Sequence, residues 1–147
     1  MSLTWEYAMP FREKVLWIGL SATLVIWIPY FWMLGKDLAA GAPEPNTIFW
    51  RMISAIIVSI VFSVALIAVA ATTNPKGASL QPDERESLFE HRANTVGYYV
   101  LALCVVMVAI GSFWGWSALV IANAILASLL IADVIRGTVE LIALRRG

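Results

Sequence analysis

At 147 residues, with 61% hydrophobic and 14% charged side chains, the chain is too apolar for a soluble domain, in which about a quarter of residues carry charge. A mean hydropathy of +0.81 makes lipid its solvent, and a formal net charge of zero gives no electrostatic case for direct nucleic-acid binding. Cys104, the only cysteine, sits in the middle of an apolar run, which excludes an intrachain disulfide and a zinc cluster.

In chain order, the segment before residue 15 interleaves Trp5, Tyr7, Met9 and Phe11 with Glu6, Arg12 and Glu13, a pattern suited to the headgroup region. A first apolar run, residues 15–34, is long enough to cross the roughly 30 Å of hydrocarbon, which takes about 20 helical residues. It is longer than the core of a signal peptide, so the expectation is an uncleaved signal-anchor helix. Pro29 inside this run removes a backbone donor and predicts a kink, with the carbonyl of Val25 left free. The following loop, with Gly41, Pro43 and Pro45, is a short linker, and Asn46 is the expected cap of the second run, residues 48–71. Within that run Ala55, Ser59 and Ser63 recur every four residues, a small-residue stripe that admits a close helix neighbour, either within the chain or in a second copy.

The loop that follows ends in Pro82 and Asp83, good helix-start residues, with acids in the first turn. A helical extension over residues 83–94 therefore leads into the third run, residues 95–116, and projects beyond the bilayer. Its charges Asp83, Glu84, Arg85, Glu86, Glu90 and Arg92 form almost no favourable pair along their own helix. They are expected to meet Arg136, Arg145 and Arg146 of the C-terminal segment, or a partner protein. Trp114, Gly115 and Trp116 mark a very tight hairpin into the fourth run, residues 117–135, so the last two helices are antiparallel neighbours.

The charges sort by side. Arg12, Lys14, Lys76, Arg85, Arg92, Arg136, Arg145 and Arg146 lie at one end of the runs, and only Lys36 and Arg51 at the other. The positive-inside rule then puts both termini and the central loop in the cytoplasm. Trp27, Trp32, Trp50, Trp114 and Trp116 fall near the opposite ends and are expected to form an aromatic belt. The predicted fold is thus a single all-α domain over residues 1–147, an integral membrane four-helix bundle.

Candidate polar chemistry inside the bilayer is sparse. Arg51 and Asn123 lie at similar depth below the outer ends of their helices. If those helices adjoin, the two residues and the carbonyl freed by Pro29 make a small polar site. Asp133, Arg136 and Glu140 share one face of the fourth helix, where Asp133 and Arg136 read as an ion pair at the membrane surface. His91 stands without other ligands, and no phosphate loop, nucleophile elbow or paired-histidine motif is present. No metal, cofactor or catalytic residue is predicted.

The run Asp83-Glu84-Arg85-Glu86, followed by Phe89, Arg92 and Tyr98-Tyr99 at the mouth of a helix, resembles a family of small multi-span prokaryotic membrane proteins classed as a domain of unknown function. The resemblance covers about twenty residues specifically. It implies a multi-pass protein of the prokaryotic inner (cytoplasmic) membrane and a soluble regulator as partner, and it transfers no catalytic residue. Two other classes compete. A homo-oligomeric small-molecule or ion transporter has the right size, but the small multidrug-resistance family uses a carboxylate in its first helix, and residues 15–34 contain none. Glu90, Arg92, Ala93 and Asn94 resemble elements of the eicosanoid and glutathione metabolism family, with a changed order and no histidine after Ala93. The leading expectation is a non-catalytic interaction protein that uses its charged 83–94 helix, bound otherwise to the lipid bilayer.

Overall fold

The computed structural model describes residues 11–41, 44–73, 75 and 84–146. Four helices account for nearly all of them: α1 (Phe11–Ala39), α2 (Pro45–Thr73), α3 (Glu84–Phe113) and α4 (Ala118–Arg146). All four are long and apolar enough to cross a membrane, and no strand occurs among the described residues. The chain is a multi-pass helical membrane protein. α1 continues unbroken through Pro29, and α3 carries the charged segment and the apolar run as one continuous helix. Its 30 residues reach about 45 Å at 1.5 Å per residue, so it is longer than the hydrocarbon core is thick.

The helix ends follow local chemistry. α3 closes with glycine in the left-handed region: Gly115 has φ 79°, its N–H donates to the carbonyl of Ser112, and the N–H of Trp116 donates to that of Gly111. This is the Schellman pattern, and the indole of Trp116 folds back over Gly111, where an added Cβ would lie 2.5 Å from the ring. Ser117 then caps α4, its Oγ accepting from the N–H of Val120 at 3.3 Å. α1 ends similarly, with Gly41 at φ 75°. Asn46 does not cap α2. The helix already starts at Pro45, whose fixed φ suits the first helical position, and so Asn46 lies inside the first turn.

α3 packs along α4, α1 packs against α2, and α1 also touches α4. The central pair is therefore α1 and α4, flanked by α2 and α3. Close approach depends on small residues. A Cβ on Gly97 would come 3.1 Å from the Cβ of Arg136, and one on Gly137 would come 3.0 Å from Leu20. Ala93 and Gly97, both buried, thus form a small-xxx-small contact on the α3 face against α4. α2 buries only Ile48 and presents Ile57, Val61, Val64 and Val69 outward, as a helix bathed in lipid must.

The apolar core lies toward the two short connections, where Trp27, Tyr30, Leu34 and Ile48 are buried together and Ala55, Leu119, Leu126 and Leu130 pack around them. Ala55, the first residue of the expected stripe, thus meets an internal neighbour, whereas the buried Oγ of Ser59 has no hydrogen-bond partner among the described residues. The tryptophan belt is corrected at one position. Trp27 is only 7% exposed and stacks edge-on against Tyr30, so it belongs to the core. Trp32, Trp50, Trp114 and Trp116 remain exposed. One end of the bundle, called here the basic end, gathers Arg12, Lys14, Arg85, Arg92, Arg136, Arg145 and Arg146. The other carries both short connections and is called the hairpin end.

Candidate functional site

At the basic end, the first turn of α1, the projecting turns of α3 and the last turns of α4 meet in one ionic cluster. Its centre is Glu140, 2% exposed on the buried side of α4. Arg12 donates from Nε to Glu140 Oε1 at 2.8 Å and from Nη2 to Glu90 Oε2 at 2.6 Å. One guanidinium therefore ties three helices together. Arg136 adds a second positive charge, with Nη1 3.6 Å from Glu140 Oε2 and Nη2 2.9 Å from Asp133 Oδ1. Beside it, Arg145 donates to Glu13 Oε1 at 2.8 Å and lays its guanidinium 5.4 Å over the Trp17 ring. A carboxylate as deeply buried as Glu140 is tolerated because two guanidinium groups compensate it.

Burial by itself would lower the affinity of the Arg12 guanidinium for its proton. The hydrogen bonds and charges of Glu90 and Glu140 outweigh that and hold its pKa above the ordinary arginine value. A raised pKa in the folded state contributes stability fully below the unfolded value and loses it only as pH rises through the folded one. For arginine that window lies far above neutrality, so Arg12 holds its two carboxylates throughout the physiological range.

The predicted residues fall into three groups. Glu90, its side chain half exposed, pairs with Arg12 rather than with the C-terminal arginines expected from sequence. Arg85, Leu88 and Arg92 point outward along one exposed face of α3, with Arg85 stacked 5.6 Å over Phe89. Glu84 and Glu86 begin the same helix, and Asp83 lies outside the described residues. Asp133 and Arg136 form the expected pair, and the Asp133 side chain is 52% exposed, so it faces away from the bundle interior.

The combination of Arg51 and Asn123 does not form. Arg51 reaches back across the first connection and donates from Nη1 to Asp37 Oδ2 at 2.6 Å. Asn123 is buried and accepts from the Tyr30 hydroxyl, while its Nδ2 donates to the Leu119 carbonyl at 2.9 Å. A surface pair and a buried α1–α4 hydrogen bond thus replace one polar site. The sequence carried a usable signal for the second, since a tyrosine hydroxyl within a span needs a partner. Arg12 and Glu13 had no such signal: they occupy the first turn of α1, and only the docking of α1 onto α4 gives them a role.

Among the described residues, no group of three or more His, Cys, Asp or Glu side chains could hold a metal ion. Compared with known proteins, the chain matches no protein-family model, no curated protein and no solved structure.

Proposed function

We propose that the chain is an interaction protein of a prokaryotic inner membrane, with its basic end in the cytoplasm and the exposed face of α3 as a docking surface for a soluble regulator. The observation that carries this reading is the Arg12 bridge from Glu90 to Glu140. It ties the projecting turns of α3 to α1 and α4, so that Arg85, Leu88 and Arg92 are displayed on a fixed support instead of on a swinging helix. Leu88, 52% exposed between two arginines, supplies the apolar centre that a protein contact needs within a polar rim. Glu90, occupied by Arg12, is removed from the docking set that the sequence proposed. The orientation is supported by the positive charge gathered at this end. The middle stretches of α1, α2 and α3 carry no Asp, Glu, Lys or Arg, and in α4 Asp133 is paired with Arg136 and half exposed, which favours this reading over a charged relay across the bilayer.

The test is photocrosslinking from residue 88 in native membranes, followed by mass spectrometry. Capture of one soluble protein, abolished by Arg85→Glu with Arg92→Glu, is the expected result. Capture of only lipid or further copies of this chain overturns the docking reading.

A further inference from the structure

At the hairpin end, the first turns of α2 and α4 part to leave a cavity of about 280 Å³, bordered by Ile48, Phe49, Met52, Leu119, Ala122 and Asn123. Its wall is apolar except at Asn123. Hydrogen-bond accounting at that amide is specific: Oδ1 is taken by Tyr30, and one N–H is given to the Leu119 carbonyl. A primary amide has two N–H donors, so one remains without a partner among the described residues. Water is a poor occupant, because an ordered water needs two to four polar partners and this wall offers one. What fits is an apolar body that carries a hydrogen-bond acceptor and no donor.

Depth narrows the class. The exposed Trp50 and Trp116 mark the headgroup level at the hairpin end, and Asn123 lies about 8 Å from the start of α4. The headgroup layer on each side of a bilayer is about 7 Å thick. Asn123 therefore sits where headgroup gives way to hydrocarbon, the level of the ester carbonyls of a glycerolipid. We propose that this cavity binds one diacyl glycerophospholipid drawn from the membrane, with the upper part of an acyl chain between α2 and α4 and its ester carbonyl accepting the remaining N–H of Asn123. The nearby cation does not select the headgroup, because Arg51 is already neutralised by Asp37 at 2.6 Å.

The experiment is native mass spectrometry of the full chain, stripped of lipid in detergent and then given diester or diether phosphatidylcholine with identical chains. The diether lipid lacks only the carbonyls. Wild-type protein is expected to hold one diester molecule about fivefold more strongly than the diether, the worth of one net hydrogen bond, and phosphatidylglycerol should bind within about twofold of phosphatidylcholine of the same linkage. Asn123→Leu should equalise the two linkages. Ala122→Phe, at an exposed position on the cavity rim, should remove the adduct. Equal retention of diester and diether lipids by the wild type, absence of any lipid adduct, or a second copy of the chain in place of lipid overturns the proposal. The wild-type comparison needs no variant to fold.

Discussion

Replacing Arg12 with alanine tests the ionic cluster most directly, because the structure assigns unequal weight to two ion pairs of the same length. Arg12 Nε and Arg145 Nε each lie 2.8 Å from a carboxylate oxygen. The Arg12 and Glu140 side chains are 21% and 3% exposed, whereas those of Arg145 and Glu13 are 54% and 12% exposed. Arg12→Ala strands Glu140 in the bundle with only the 3.6 Å contact to Arg136. Removing one partner of a buried pair costs about 3–5 kcal/mol, and the surviving arginine reduces this to about 2–4 kcal/mol here. Arg145→Ala unpairs Glu13, whose side chain is 12% exposed against 3% for Glu140, and because water reaches this pair more readily it should cost less, about 1–2 kcal/mol. Reversible denaturant unfolding in mixed detergent and lipid micelles, followed by tryptophan fluorescence, measures both. The sign of the coupling is a further check: Arg12→Ala with Glu140→Ala should be more stable than Arg12→Ala alone, since the double variant no longer buries a poorly compensated charge. Equal losses for Arg12→Ala and Arg145→Ala, within about 0.5 kcal/mol, would refute the argument that burial sets the strength of these pairs.

Other consequences follow from the packing. Gly111→Ala places a Cβ 2.5 Å from the Trp116 ring and should displace the indole, costing about 1–3 kcal/mol and shifting tryptophan emission; an unchanged spectrum would count against the hairpin geometry. Gly97→Leu, at a site where even a Cβ would meet Arg136 at 3.1 Å, should separate α3 from α4 and weaken disulfide crosslinking between cysteines placed at residues 101 and 128 severalfold. A double-mutant cycle with Tyr30→Phe and Asn123→Leu should give a coupling of about 0.6–1.7 kcal/mol, the range seen for hydrogen bonds between membrane helices; a value near zero would mean that the pair contributes nothing to the docking of α1 on α4. With Cys104 replaced by serine, a single cysteine at position 146 should be shielded from a membrane-impermeant maleimide in intact cells, and one at position 115 should react. The reverse pattern would invert the orientation.

The sequence by itself determined the element inventory and the sorting of charge between the two ends of the helices. Four runs of membrane-crossing length can satisfy their backbone groups only as helices, and Trp114-Gly115-Trp116 left no room between α3 and α4 for anything but a tight turn. Charge sorting likewise marked the basic end before any contact was known. Only the tertiary structure decided which face of each helix turns inward. In a soluble protein an apolar stripe reveals that face, but here lipid is as apolar as the interior, and the helices are apolar around most of their circumference. Trp27 therefore read like the exposed Trp32, although one is core and the other faces outward. The polar contacts were hidden for a related reason. Arg51 met Asp37 instead of Asn123 because the first connection brings the end of α1 back over α2, and Arg12 found Glu90 and Glu140 across separations of 78 and 128 residues. No local spacing encodes such partners; they are fixed when α1 docks on α4 and the buried charge of Glu140 must be compensated by whatever cation that docking supplies.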